Sequence, residues 1–238
     1  MRTAGTAVLV VALAAATAAA RAPDAGRAPR PAPPARHEPP NAKFLDPELD
    51  VKSWVDRFEK PGREVYDKRQ EIVAAVGLHP GDAVADVGAG TGLFTMLFSR
   101  EVGPTGKVYA VEISPRFLEH LSRRARGAGA RNVEVVRGTD RSIELPPGSV
   151  DRVFLCDTYH HFEHPEASLA SIRRALRPGG ELVLVDYRRE KGKSPAWVLE
   201  HVRAGQAAVT AEIEAAGFQL AADLPLLREN YVLRFRRR

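Results

Sequence analysis

Val84-Ala85-Asp86-Val87-Gly88-Ala89-Gly90-Thr91-Gly92 decides the reading of this chain. A short apolar run, Ala83 to Val87, carries one acid and breaks into three glycines spaced by two. Such a run reads as a buried strand entering a tight turn, and the helical pattern from Gly90 to Arg100 follows at once. Glycine at 88 and 90 lets the backbone approach a ligand closely. The helix start offers unpaired N–H groups to an anion. Position 93 is Leu, so the dinucleotide pattern G-x-G-x-x-G is not met, and no Lys-Ser/Thr follows to make a phosphate-binding loop. Asp86 opens the turn, and Glu112 closes the next apolar run, Lys107 to Val111. A carboxylate there accepts both hydrogen bonds of a ribose diol.

Working outward, strand and helix signals alternate. Upstream, Asp50 to Val76 has apolar residues at helical spacing, split into two helices by Pro61-Gly62. Downstream, Ser114-Pro115 is an N-cap and N1 pair that opens a helix to about Ala128. Val133 to Val136 is a third strand and Val150 to Cys156 a fourth. Pro165 to Leu176 is helical, Pro178-Gly179-Gly180 a sharp turn, and Glu181 to Tyr187 a fifth strand. Pro195 to Ala216 reads as one helix. Phe218 to Ala222 and Tyr231 to Phe235 lie too close for a crossover helix and must form an antiparallel hairpin. The expected fold is α/β: a Rossmann-like, seven-stranded, mostly parallel sheet, helices on both faces, with an antiparallel C-terminal hairpin.

Composition sets limits on the rest. At 44% hydrophobic and 27% charged, the 238 residues are those of a globular chain. A single Cys excludes a disulfide framework and a multi-cysteine zinc site, and no metal is expected. The net charge of +5 is partly peripheral, since residues 1–42 hold +3 of it. Arg123, Arg124 and Arg126 read as a solvated helix face, so no nucleic-acid partner is expected. Residues 1–20 contain the uninterrupted Ala/Val/Leu/Thr run Ala7 to Ala20, followed by small residues that fit a cleavage site. They read as a signal peptide for export to the periplasm or envelope. The alternative is an anchor that keeps the domain in the cytoplasm, favoured by the four Arg after the run. In both cases membrane contact is confined to this segment. Residues 21–42 hold seven Pro and no large apolar side chain, a disordered linker by composition. One domain is expected over 43–238, with N-terminal helices at 43–80 and the core at 81–238.

With these motifs in order, the chain resembles the class I S-adenosylmethionine-dependent methyltransferases, in the group that includes the quinone-biosynthesis C-methyltransferases. The resemblance rests on Val84 to Gly92, Val108 to Ser114, Gly138-Thr139-Asp140, Val150 to Phe162 and Ile172 to Tyr187. It implies S-adenosyl-L-methionine as cofactor, with Asp86, Gly88, Ala89, Gly90, Thr91 and Gly92 around its methionine part. It also implies Glu112 and Ile113 at the ribose and Asp140 near the adenine. The family's Gly-Asp after strand three is here interrupted by Thr139. The implied reaction is methyl transfer to a small-molecule acceptor at oxygen, nitrogen or carbon. The alternatives are a protein acceptor, or a cofactor-fold protein without catalysis.

A sulfonium already activates the methyl, so the protein mainly aligns nucleophile, methyl and sulfur. A base is needed only when the acceptor must lose a proton. Candidates follow strand four, at the carboxyl end of the sheet where ligands bind in this architecture: Asp157, Tyr159, His160 and His161. Imidazole suits the work because it titrates near neutrality. His160 leads; Cys156 reads as a buried strand residue. In the enzymes this chain resembles, segments placed like the first helices, with Trp54, Phe58, Glu59, Arg63, Tyr66 and Arg69, cover the cofactor and help build the acceptor pocket; the alternative is that they merely pack.

Overall fold

Seven strands form one sheet in the order β3-β2-β1-β4-β5-β7-β6. They are β1 (Ala83–Val87), β2 (Lys107–Glu112), β3 (Val133–Arg137), β4 (Val150–Cys156), β5 (Leu176–Tyr187), β6 (Phe218–Leu224) and β7 (Asn230–Arg237). The computed structural model describes residues 39–238; the proposed leader and most of the linker lie outside them. β1 pairs in parallel with β2 and β4, β2 with β3, and β4 with β5, while β7 runs antiparallel to β5 and β6. Chain order therefore reverses between β1 and β4, which opens a crevice at their carboxyl ends.

β1 is buried at every position because helices cover both faces of the sheet. Its alternate residues feed two cores. Ala83, Ala85 and Val87 face Tyr159, Leu169, Ile172, Val209, Ile213 and Phe235. Val84 faces Ile72, Val76, Phe98, Phe154 and Val183. The covering helices are α1 (Val51–Phe58), α2 (Glu64–Asp67), α3 (Arg69–Val76), α4 (Leu93–Glu101), α5 (Pro115–Gly127), α6 (Pro165–Ala175), α7 (Ala196–His201) and α8 (Gln206–Ala215).

Three expected elements differ. Upstream of β1 there are three helices rather than two, because Lys68 (φ −95°, ψ 14°) leaves helical geometry between α2 and α3. The turn at Pro178-Gly179-Gly180 lies inside β5 as a bulge: Leu176 pairs with Val150 and Glu181 with Arg152, so Arg177 to Gly180 stand opposite Asp151 alone. The helix expected over Pro195 to Ala216 is broken. Val202 turns extended (φ −82°, ψ 117°) and Gly205 restarts the chain as the N-cap of α8. Arg203 at the break is held by Glu212, at 2.8 and 2.5 Å.

The segment read as linker contributes its last residues to this domain. Asn41 is buried, and its Nδ2 donates to the carbonyl of His161 and to Glu163 Oε1, both at 3.0 Å.

Candidate active site

A cavity of about 830 Å³ opens at the carboxyl ends of β1, β2, β4 and β5. The glycine turn forms one side of it. Gly88 and Gly90 have φ +71° and +51°, the left-handed region that β-carbons disfavour. A Cβ on Gly88 would stand 2.3 Å from Thr158 Cγ2, so the turn packs directly on the loop after β4. A Cβ on Gly90 would meet only the Gly88 carbonyl, at 3.8 Å.

Two carboxyls frame this turn. Asp86 is 4% exposed and accepts the Thr95 hydroxyl at 2.5 Å. Burial, opposed by that hydrogen bond and assisted by nearby Glu112, pushes its pKa up to about 7. Glu112 is 6% exposed and accepts backbone N–H groups from Gly90 (2.8 Å), Ile113 (2.7 Å) and Ser114 (2.9 Å). Burial raises its pKa despite those donors. Among the described residues, neither acid is paired with a Lys, Arg or His. Ala89, Thr91, Ile113 and Asp140 also line the cavity. Asp140 lies at the surface, 3.3 Å from His164 Nε2. Gly92, by contrast, does not line the cavity, and a Cβ on it would stand 2.7 Å from Leu121 Cδ2.

The opposite side is built from distant segments. Asp157 follows β4 with φ +51° and is held by Arg63 Nη2 at 2.5 Å and by Asn230 Nδ2 at 2.6 Å. Burial raises its pKa, and Arg63 works against that. His160 is buried. Its Nδ1 lies 2.7 Å from Asp186 Oδ1, and its backbone N–H reaches the other Asp186 oxygen at 3.1 Å. Burial alone would lower the His160 pKa; the Asp186 carboxylate outweighs it and the net shift is upward. His161 packs against both His160 and His201, and burial plus those neighbours bring its pKa down to about 3. Phe44, Trp54, Phe58, Phe162, Tyr187 and Trp197 supply an aromatic rim.

Tyr159 does not belong to this group. Its ring is fully buried in the core under the sheet and its hydroxyl donates to Glu212 Oε2 at 2.8 Å, away from the cavity. The short 3-10 turn over Tyr159–His161 sends consecutive side chains in different directions, which sequence spacing does not reveal. Arg124 departs from the solvated face expected for it: it grips Glu59 bidentately at 2.5 and 2.9 Å and caps the Thr91 carbonyl at 2.8 Å, tying α1 to the glycine turn. Asn41, Asp186, His201 and Asn230 were not foreseen. Their only sequence signal is polarity next to apolar runs, which most surface residues share. Cys156 lines the cavity, but burial lifts its thiol well above the usual range, so it is not poised as a thiolate.

A parallel sheet with this strand order, a glycine turn after β1 and an acid at the end of β2 are the features that the resemblance to class I S-adenosylmethionine-dependent methyltransferases implies. Residues 85–184 match the family model described as "Methyltransferase domain". The ubiquinone/menaquinone biosynthesis C-methyltransferase UbiE of Pseudomonas putida is 31% identical over 118 residues, 49% of this chain and 46% of that protein. Its counterpart from Ectopseudomonas mendocina is 32% identical over 114 residues, 48% and 44% of the two chains. The match thus spans about half the length of these curated relatives. A crystal structure of a SAM-dependent methyltransferase from Aquifex aeolicus superposes with TM-score 0.69 at 27% identity, covering 77% of this chain and 97% of that one. The [4+2]-cyclase SpnF shares the fold alone, with TM-score 0.63 at 17% identity over 75% and 84% of the two chains.

The residues present fit S-adenosylmethionine. That molecule brings an ammonium, a ribose diol and a methyl already activated by a sulfonium. Asp86 and Glu112 are buried acceptors with no cation paired to them among the described residues, and Gly88 and Gly90 line the cavity beside them. Asp86, Gly88, Ala89, Gly90, Thr91, Glu112 and Ile113 are the residues that would hold it.

Proposed function

We propose that the protein transfers the methyl group of S-adenosylmethionine to a small aromatic acceptor. The observation that carries this is the division of one cavity: buried carboxyls and a glycine turn at one side, an aromatic rim with imidazoles at the other. At about 830 Å³ the cavity is near the top of the ~300–1,000 Å³ usual for a small-molecule site, as a reaction with two bound partners requires. The names of the relatives support a quinol-like ring as acceptor. The chain's own contribution is alignment, which supplies roughly 7–11 kcal/mol when reacting atoms are held in line. Arg63 and Asn230 fix Asp157, and Asp186 fixes His160, so the acceptor meets side chains of set orientation.

The test is calorimetric titration with S-adenosylmethionine, followed by transfer of a labelled methyl to a panel of hydroquinones, phenols and amines. Cofactor binding with label appearing in the hydroquinones or phenols is the expected result. Label only in amines would refute the aromatic acceptor, and a failure to bind would refute the methyltransferase reading. Glu112→Ala should weaken cofactor binding by the ~1.5–3 kcal/mol of a charge-assisted hydrogen bond.

A further inference from the structure

We propose that His160, His161 and His201 bind one divalent transition-metal ion, of which zinc is the test case, at the acceptor side of the cavity. One ring nitrogen from each of the three lies within 4.8 Å of the others. His161 Nε2 and His201 Nε2 are 3.4 Å apart. Two imidazoles on a tetrahedral zinc, each with Zn–N of about 2.0–2.1 Å, have their nitrogens about 3.3–3.4 Å apart. The separation already present is the one the ion requires.

The hydrogen bonds behind the rings turn the correct atoms inward. His160 Nδ1 faces a carboxylate oxygen of Asp186 at 2.7 Å, and His161 Nδ1 faces the carbonyl of Pro40 at 3.2 Å. Neither oxygen donates, so both Nδ1 atoms carry the proton, and in the neutral rings, the form that binds a metal, both Nε2 atoms present lone pairs. A carboxylate or carbonyl behind a ligating imidazole is the usual outer support of a metal site. Asp186 also brings negative charge to a place where Lys43 brings positive charge. The Lys43 ammonium is drawn onto Phe44 and Trp54, 4.9 and 5.5 Å from the ring centroids.

The cluster is assembled on purpose by the fold rather than by local spacing. His160 and His161 follow β4, and His201 is the last residue of α7, forty positions further along the chain. Packing alone gives little reason to converge three imidazoles with centroids 4.3, 4.9 and 5.1 Å apart. Three nitrogen ligands with the cavity beyond them match a catalytic zinc site, in which the fourth position is left for substrate. The ligand class for that position is an oxygen of the acceptor, a phenol or enol. Its hydroxyl proton would pass to water while the oxygen remained bound as the anion. This last use rests on the methyl-transfer reading; binding of the ion does not.

The experiment uses the full chain with its affinity tag removed, stripped with chelator and dialysed against zinc with magnesium in excess. Metal content is measured per chain, and cobalt is substituted to read coordination from its visible spectrum. One equivalent of zinc and a tetrahedral cobalt spectrum are expected. His201 is exposed, so His201→Ala should fold normally by circular dichroism. It should lose at least the ~10–100-fold in metal affinity that removal of an outer-sphere partner costs. His161→Ala should lose as much. Substoichiometric zinc in the wild type, or equal retention in both variants, would overturn the site and leave the pair as an imidazole–imidazole hydrogen bond. Calorimetry with S-adenosylmethionine on the same samples reads the methyltransferase assignment separately.

Discussion

The two sides of the cavity are built by opposite strategies. Apart from Asp140, the residues of the cofactor side lie between Asp86 and Ser114, on two adjacent strands and the turns that follow them. The acceptor side draws Asn41, Arg63, Asp157, His160, Asp186, His201 and Asn230 from six separate places in the chain. The first depends on backbone conformation, with left-handed glycines and N–H groups bound to Glu112. The second depends on side chains holding other side chains. A fold can keep the first constant and vary the second, which is how one architecture serves unrelated reactions.

The largest expected effect separates the two roles within the glycine turn itself. Gly90→Arg places its side chain in open space beside Gly88, so the fold bears only the strain of φ +51°, roughly 1–2 kcal/mol. Cofactor binding should fall more than about a hundredfold, over ~2.8 kcal/mol. Gly88→Ala should instead damage the fold, because its Cβ would overlap Thr158. Thermal melts and calorimetry on both proteins check this. If Gly90→Arg still binds normally, the turn is not the cofactor's seat and the division of the cavity fails.

The difference between the sides also sets what the sequence discloses. Asp86, the glycines and Glu112 were legible because a strand ending in glycine forces a turn, and the acid sits at a fixed distance along the chain. Asp157, His160 and His161 were legible as candidates only by their place after β4. Which of them faces the cavity was not, since Tyr159 beside them points into the core. His201 stayed hidden because Pro195 to Ala216 reads as one helix, whereas the chain turns extended at Val202, is held at Arg203 by Glu212 and restarts at Gly205. Asn41 stayed hidden in a Pro-rich stretch whose composition gives no reason to order.

A second effect concerns pH on the cofactor side. The groups facing Asp86 are the Thr95 hydroxyl, Glu112 and the Cys156 thiol. Its folded pKa, about 7, exceeds the unfolded value of 3.8, so the native state holds a proton that the unfolded chain has released. That contribution to stability is complete below pH 3.8, declines as pH rises, and is gone above about 7. Asp86→Asn removes the decline. The variant should therefore gain on wild type as pH rises, by up to about 4 kcal/mol at pH 8, while binding the cofactor's ammonium less well. In the wild type, affinity for S-adenosylmethionine should climb to pH ~7 and then level off, since the ammonium is best met by the ionised carboxylate. Denaturant melts and titrations at several pH values measure both. A pH-independent difference between the two proteins would mean that Asp86 is already charged in the fold.

The smallest effect tests whether the N-terminal segment belongs to the acceptor side alone. Asn41 donates to the His161 carbonyl and to Glu163, and Pro40 supplies the carbonyl behind His161 Nδ1. No hydrogen bond from this segment reaches Asp86, the glycine turn or Glu112 among the described residues. Asn41→Ala removes two hydrogen bonds at a buried position, a cost of about 1 kcal/mol, or a fall of about 2–4 °C in melting temperature for a domain of this size. Cofactor affinity should stay within error of wild type, and the KM for an acceptor should rise as the loop carrying His161 loosens. An equal loss of cofactor affinity would show that the segment braces both sides, and that the two ends of the cavity are mechanically one.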